Sequence, residues 1–306
     1  MTTLPLRARL LTALAGDPDG TPPWVLELAD GDDTGLFLED GPAWTVHAGT
    51  ATMVAGIRAL LMQALHPGAL AGVHDWSRYR EDPLGRLSGT VRWIICVTFG
   101  SQAQAERETA RVARFHTRVT GDYRAGDGTP SSYSASDSDL VEWVHIAFTD
   151  SFLTCHEAWG APIPGGPDAY VKDWATAGRL MRLAEPPQTA ADMRTRIDDL
   201  LARGVLRGDI GDEHRVADVV SFLRRPPFEG SMNTAYRLLF ASAVATIPAR
   251  YRRLLGIRRS PFPVVTLTRL VLAVTGRALG SGPRAQDFAR ERLRRLAAGG
   301  LDVVDA

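Results

Sequence analysis

DPLGRLSGTVRWIICVTFGSQAQAERETARVARFHTRVTG, from Asp82 to Gly121, contains the strongest helical pattern of the chain. An apolar run over 84–99 predicts a first helix, and the charged, amphipathic run after it predicts a second. Phe99-Gly100-Ser101 ends the first helix, and Ser101 is the expected N-cap of the second. The stretch therefore predicts two helices that face each other.

The first of these helices carries a cation beside a hydroxyl. Arg86 and Thr90 are four residues apart, which places them one turn apart on the same face. The face continues through Trp93 and is mostly apolar, so an arginine on it is costly to bury unless it is paired or directed at an anion. The alternative is that Arg86 extends from the first helical turn into solvent.

The second helix has a stripe of small or flat-sided residues that contains one histidine. Ala105, Thr109, Val112, His116 and Val119 follow the 4-3-4-3 spacing of one helical face, and the charged side chains fall mostly elsewhere. Such a face could press against a planar ring and ligate the metal of that ring through the imidazole. The alternative is a core histidine that is hydrogen-bonded to the backbone.

Three further histidines are candidates for chemistry. His66 precedes Pro67, which breaks a helix predicted over 48–65 and can start the next one, and His74 lies on that next helix. Each could donate to bound oxygen or act as a base, and each could equally cap or pack a helix junction. His145 shares a stripe with Phe148 on a helix predicted over 139–159.

Several other classes of site lack their sequence motifs. Glu142-x-x-His145 matches half of a carboxylate-bridged di-iron motif, but the chain has no second copy of it. Histidine and cysteine never occur at the spacing of a zinc site. The motifs of serine hydrolases, P-loop enzymes and dinucleotide-binding enzymes do not occur either.

The helical patterns, with no linker between them, read as one all-α domain. The chain has 306 residues, of which 45% are hydrophobic and 23% are charged, and it contains no long linker and no internal repeat. We expect a single domain over 1–306, with its core at about 45–160 and C-terminal helices from 161–306 that complete it. Segments 16–47 and 122–138 read as irregular. Further helices are predicted at 4–15, 167–183, 189–204, 216–224, 231–246, 264–279 and 283–297.

Charge and hydropathy argue against nucleic acid and against a membrane span. The net charge is zero, so the charge balance indicates neither nucleic-acid binding nor a general attraction to anionic membranes. The arginines between 250 and 295 are interpreted as solvated helix faces. Arg269 and Arg277 interrupt the apolar segment 264–279, so no transmembrane helix is expected. The sequence does not predict the oligomeric state.

The cysteines favour a cytoplasmic setting. Cys96 and Cys155 are the only two, too few for a disulfide framework, which fits a reducing compartment. The first 16 residues imitate a signal peptide, but their apolar run is short and their positive charges come late. The expectation is a cytoplasmic protein.

Six ordered motifs carry a family resemblance. They are HPGALAGVHDWS (66–77), DPLGRLSGT (82–90), FG (99–100), HTRVTG (116–121), YSASDSDLVEWVH (133–145) and IPARYRRLLGI (247–257). In this order they resemble the latex clearing protein (rubber oxygenase) and MpaB oxygenase family. The block over about 45–160 carries most of the resemblance, and the last third is similar more loosely. The resemblance implies an all-helical fold with a globin-like core and, as in the rubber oxygenases, a b-type haem.

The resemblance also implies roles for particular residues. His116 would be the proximal haem ligand, its iron the only metal, and Arg86 and Thr90 would lie on the distal side. His66 and His74 become second candidates for distal chemistry, because their block resembles the family too. The haem would be lined by Thr109, Val112, Val119, Trp93 and His145.

One position departs from the rubber oxygenases. They place a lysine, as a second axial ligand, directly before the threonine, and here that residue is Gly89. Glycine cannot ligate iron, so the sixth position would be open, filled by water or filled by another ligand. The departure also puts a rubber substrate in doubt.

The expected function is therefore a haem b-dependent oxygenase. It would act with dioxygen on an apolar, unsaturated small molecule, with Arg86 stabilising charge that develops on oxygen and Thr90 donating a hydrogen bond. One alternative is a haem-binding protein without turnover, either a carrier or a gas sensor. Another is a helical structural protein with no cofactor.

Overall fold

Helices form most of the structure, a computed structural model that describes residues 6–76, 81–225, 230–280 and 284–301. Seven α-helices precede a short hairpin, namely α1 (Leu6–Ala15), α2 (Pro23–Leu26), α3 (Pro42–Ala48), α4 (Thr52–Gln63), α5 (Pro67–Trp76), α6 (Pro83–Phe99) and α7 (Gln102–His116). The hairpin consists of β1 (Thr120–Arg124) and β2 (Pro130–Ser134). Eight helices follow it in the described ranges, namely α8 (Ser138–Trp159), α9 (Gly166–Leu180), α10 (Ala190–Ala202), α11 (Arg215–Arg224), α12 (Gly230–Thr246), α13 (Ala249–Leu254), α14 (Val264–Leu279) and α15 (Ala285–Leu301). The all-α prediction is confirmed.

Two segments that were predicted to be irregular contain short regular elements. Segment 16–47 holds α2, a 3-10 turn at Glu27–Ala29 and most of α3, and both α-helices begin at a proline, which presets the helical φ angle. Segment 122–138 holds most of the antiparallel hairpin, in which Gly121 pairs with Tyr133 and Arg124 with Pro130. Elements this short show no hydrophobic period, so the sequence pattern does not predict them.

The central helix of the fold is α8, which packs against α3, α4, α5, α9, α10 and α12. Its side chains Trp143, Ile146 and Leu153 are completely buried. Because α8 is covered from several sides, its burial is not confined to one stripe, and the amphipathic pattern of its sequence is correspondingly weak.

A buried ion pair joins α4 to α8. The Arg58 side chain is 2% exposed, and its Nη2 lies 2.8 Å from Oδ2 of Asp150. Its Nη1 also donates to Oγ of Ser151 at 2.7 Å. Both charges have left water, so each depends on the other for compensation.

The predicted hairpin of α6 and α7 is confirmed. Oγ of Ser101 accepts the N–H of Gln104 at 3.3 Å and caps α7, and the Asp82 carboxylate accepts the N–H of Gly85 at 3.0 Å and caps α6. A side chain at Gly100 would collide with the carbonyl oxygen of Cys96, so the tight turn between the helices requires glycine.

None of the helices in the described ranges has the length and hydropathy that a membrane-spanning helix needs.

Candidate functional site

Cross-helix contacts fix how α6 and α7 lie beside each other. Nε1 of Trp93 donates to Oγ1 of Thr109 at 3.1 Å, and Nη2 of Arg111 donates to the carbonyl oxygen of Gly89 at 3.3 Å. The helices are antiparallel, so each turn toward the start of α6 corresponds to a turn toward the end of α7. The start of α6, which includes Arg86, is therefore level with the last turn of α7, which contains His116.

The two helices are tightly packed at one end and open at the other. Beside the connecting turn, Cys96, Val97 and Ala105 are completely buried. Toward the other end, Val112 is half-buried and Thr90 is exposed. A Cβ added at Gly89 would meet no atom within 4 Å. We call this end, which has Gly89 and Thr90 on α6 and Val112 on α7, the open end of the α6–α7 pair.

His116 lies at this open end. It is the last residue of α7, its side chain is half-buried, and its carbonyl oxygen accepts the N–H of Val119 at 3.0 Å. Its ring centroid is 6.4 Å from that of Phe115, a side chain that is itself 50% exposed. The imidazole therefore lies at the half-buried end of the α6–α7 pair and not in the packed centre of the fold.

The stripe predicted through Val119 ends earlier than expected. Helix α7 stops at His116, so Val119 lies beyond it and is not on the same helical face. It is buried against α5, where its Cγ1 would be 3.5 Å from a Cβ at Gly72. Its carbonyl oxygen accepts the N–H of Ala135 at 2.9 Å, which fixes it to the connection after the hairpin.

Of the predicted distal pair, Arg86 and Thr90, the structure describes only the side chain of Thr90. Arg86 and Thr90 both lie on α6, so their one-turn spacing on one face holds. The side chain of Arg86 lies outside the described residues. Thr90 is exposed and follows Gly89, where an added Cβ would meet no atom within 4 Å.

His66 lies at the junction of α4 and α5, against α8. It is 4% exposed, and its ring centroid is 6.4 Å from that of Trp143. Burial lowers the pKa of His66 to about 4, against a weaker opposing effect from Asp139, so its imidazole is neutral at neutral pH. This placement matches the packing interpretation of His66, one of the two that the sequence left open.

His74 belongs to a polar network near the surface. Its Nδ1 lies 3.0 Å from Asp75 and its Nε2 lies 3.4 Å from Asp218. Asp75 also accepts from Arg215 at 3.1 Å and from the Tyr133 hydroxyl at 3.3 Å. The network joins α5 to α11 and the β-hairpin.

His145 lies against α9. A Cβ added at Gly178 would be 3.0 Å from its Cε1, and burial lowers the pKa of His145 to about 4, with a smaller contribution from Arg196. On the preceding turn, Glu142 pairs with Arg196 at 2.7 Å. The side chain that was predicted to line a cofactor is thus enclosed between α8 and α9.

An aromatic cluster that the sequence did not predict lies behind Trp93. The ring centroid of Trp174 is 6.2 Å from Trp93 and 4.2 Å from His47. His47 is also stacked near Phe148, at 5.9 Å, and its Nε2 is 3.3 Å from the Tyr170 hydroxyl. His47 lies in a segment that was predicted to be irregular, and its one-turn spacing from Trp44 was the signal that could have found it.

A charged group borders the open end. Glu108 is buried and accepts from both Arg92 and Arg111. Burial raises the pKa of Glu108, but the hydrogen bonds from the two arginines outweigh it and hold that pKa below its usual value. Two guanidinium groups around one ionised carboxylate leave a net positive charge beside Gly89.

The residues at the open end fit a haem that is held by one histidine. Ligation needs a single imidazole beside an apolar face, and the half-buried side chains here are His116 and Val112 on α7 and Trp93 on α6. A haem held here would receive no ligand from position 89, because glycine has no side chain.

Comparison with known proteins agrees with the motif resemblance. A family model described as "ER-bound oxygenase mpaB/B'/Rubber oxygenase, catalytic domain" matches residues 44–277. The match continues far past the central block, up to the last turn of α14. No curated protein and no solved structure matched the chain, so the globin-like core stays a prediction. Because the model covers most of the sequence, the chain belongs to the mpaB/rubber oxygenase catalytic-domain family, a family of oxygenases, and is an oxidoreductase.

Proposed function

We propose that this protein is a haem b-dependent oxygenase that uses dioxygen to oxidise an apolar, unsaturated small molecule. The observation that carries the proposal is the position of His116, a half-buried imidazole in the last turn of α7, level with the start of α6 that includes Arg86. Membership in an oxygenase family supplies the reaction class.

In this proposal His116 holds the haem iron, and Trp93, Thr109 and Val112 flank the ring. When bound, the haem supplies the binding and activation of dioxygen. The hydrogen bond from Trp93 to Thr109 fixes the orientation of the indole along this face. Arg111, which reaches Gly89 from α7, offers a guanidinium to a carboxylate at the rim.

The distal side is proposed to be formed by α6. Arg86, level with the last turn of α7, would stabilise negative charge as dioxygen is reduced, and the Thr90 hydroxyl would donate a hydrogen bond there. Since His66 is buried at the α4–α5 junction and His145 lies on α8 against Gly178 of α9, we assign the polar chemistry of the site to α6.

An apolar substrate suits the walls of the site. Trp93 is backed by Trp174 and Phe148, whose ring centroids are 5.7 Å apart. Such surfaces bind flat or branched hydrocarbon through its apolar area. A reducing, cytoplasmic setting is part of the proposal, because Cys96 and Cys155 are free, buried thiols.

A visible spectrum of protein purified with haem supplied tests the proposal. A Soret band that shifts with reductant and carbon monoxide supports bound iron with an accessible coordination site. Dioxygen consumption with an isoprenoid alkene then separates an oxygenase from a carrier or gas sensor, which would bind gas without consuming it. Protein that stays colourless after haem addition contradicts the proposal and favours a structural role.

Replacing Arg86 by alanine is expected to keep the haem and lose turnover. Loss of a single positive charge that acts on developing negative charge lowers kcat by about a hundredfold or more. The measurement is dioxygen consumption with the alkene, alongside the Soret absorbance. Arg203, an exposed arginine at the end of α10, gives the matched control Arg203→Ala, which should leave both unchanged. Equal turnover in both variants would remove Arg86 from the mechanism.

Replacing Gly89 by lysine is expected to give the site a second axial ligand. A Cβ at this position meets open space, so the side chain can be accommodated on α6. The reduced Gly89→Lys protein should show the spectrum of six-coordinate, low-spin haem and should bind carbon monoxide at least about tenfold more weakly.

Gly89→Ala is the control for this change. It should leave the spectrum unaltered and raise the free energy of unfolding by about 0.5–1 kcal/mol, because alanine favours the helix over glycine. If the lysine variant keeps the unaltered spectrum, then position 89 does not face the iron.

A further inference from the structure

One segment of the chain carries a strong excess of positive charge. Residues 230–286 contain nine arginines and no aspartate, glutamate or lysine, although the net charge of the whole chain is zero. Arg250 pairs with Asp198 from α10. Within the described residues, Arg258, Arg259 and Arg277 are exposed and have no acidic partner. The segment therefore presents positive charge that the rest of the protein does not neutralise locally.

The helix α14 in this segment also exposes an apolar face. Its residues Val264, Thr268 and Leu272 are buried on the inner side, where α14 packs against α12. Leu267, Leu270 and Val274 point the other way, spaced by three and four residues, and are 47%, 65% and 53% exposed. Phe262, just before the helix, is 72% exposed. We call these four residues, Phe262, Leu267, Leu270 and Val274, the α14 ridge.

Arginines border the α14 ridge. Arg258 and Arg259 precede Phe262, and Arg277 lies at the end of α14 on its outer side. Arg269 is exposed on the flank of the helix, where its Nη2 donates to the carbonyl oxygen of Ala158 at 3.3 Å. Large apolar side chains that protrude into water are unfavourable, and exposed arginines attract anions. A lipid bilayer with anionic headgroups over an apolar interior offers a partner to both.

We propose that the α14 ridge docks this protein on an anionic lipid bilayer. The helix would lie in the plane of the interface, with Leu267, Leu270 and Val274 among the acyl chains and the arginines at the level of the lipid phosphates. A second copy of the chain is a poorer occupant, because a two-fold contact would bring the same arginines together. The proposal does not depend on the haem assignment.

Sedimentation with vesicles tests the docking. Full-length protein is mixed with vesicles of phosphatidylcholine alone, or of phosphatidylcholine with phosphatidylserine, at low and at physiological salt. We expect binding to the anionic vesicles at both salt concentrations and at least about tenfold weaker binding to the neutral ones. Binding that persists at physiological salt indicates the apolar contribution, because salt weakens the electrostatic attraction of the arginines and not the burial of the α14 ridge.

Matched variants separate the two contributions. Leu267→Ser with Leu270→Ser should weaken binding to anionic vesicles by about tenfold or more, whereas Leu38→Ser, at a side chain that is 78% exposed elsewhere, should not. Arg258→Gln with Arg259→Gln should weaken it by about fivefold for each charge, and Arg203→Gln should have no effect. Circular dichroism and thermal unfolding confirm that each variant is folded.

Three results would overturn the proposal. The wild-type protein could fail to sediment with either vesicle, or the leucine variant could bind as well as wild type. Analytical ultracentrifugation could also show a dimer that Leu270→Ser converts to a monomer, which would make a second copy of the chain the occupant of the ridge.

Discussion

Replacing His116 by alanine is expected to abolish haem retention. The imidazole would be the one protein ligand to the iron, and its neighbours Thr109 and Val112 offer no group that could replace it. Loss of a partner that only orients a ligand costs about 10–100-fold in metal affinity, so loss of the ligand itself should exceed that. The measurement is the Soret absorbance per protein after purification with haem supplied.

His74→Gln is the control for the ligand assignment. His74 is a partly exposed histidine bound to Asp75, and its replacement should leave the Soret band intact. Added imidazole should restore a Soret band to His116→Ala by entering the space that the side chain has left. A variant without His116 that keeps its haem would contradict the assignment of the ligand.

The second large effect concerns stability. Asp150→Ala should lower the free energy of unfolding by about 3–5 kcal/mol, because it leaves the guanidinium of Arg58 buried without its counter-charge. Ser151 would remain as a hydrogen-bond partner at 2.7 Å, but a hydroxyl does not compensate a full charge. Urea unfolding, followed by circular dichroism, measures the difference.

Two comparisons sharpen this measurement. Arg58→Met combined with Asp150→Leu removes both charges and should recover most of the lost stability, since apolar side chains suit the interface of α4 and α8. At the surface, Arg250 and Asp198 are 44% and 48% exposed, so Arg250→Ala should cost less than about 1 kcal/mol. If Asp150→Ala costs no more than this surface change, burial does not govern the Arg58 pair.

Local signals made the α6–α7 hairpin predictable. The predicted cap at Ser101, the glycine turn at Gly100 and the apolar run before them are local signals, and all three are found in the fold. The same kind of signal failed for α3 and for the β-hairpin. These elements are only a few residues long, and the tertiary contacts of Trp44 and Tyr133, both buried, stabilise them more than their own periodicity does.

Candidate site residues were harder to predict than helices. The stripe on α7 was extended through Val119, because periodicity alone does not mark where a helix stops. His66, His74, His116 and His145 all occur in motifs of the family, and spacing singled out only His116, on the stripe of α7. Their surroundings differ: His66 is buried at a helix junction, His145 lies on α8 against α9, His74 lies in a carboxylate network and His116 lies at the half-buried end of α7.

The sequence alone determined the helical class and the bounds of the long helices. It also placed His116 near the end of an amphipathic helix and showed the resemblance to the oxygenase family. Each of these results rests on local spacing or on contiguous motifs. The tertiary structure alone reveals that α8 is the centre of the fold, that Arg58 pairs with Asp150, that His145 is enclosed by α9 and that α14 leaves an apolar ridge uncovered. The physical reason is that hydrophobic burial has no direction. A periodic pattern specifies which face of a helix must be covered, and only the packing of distant segments specifies what covers it.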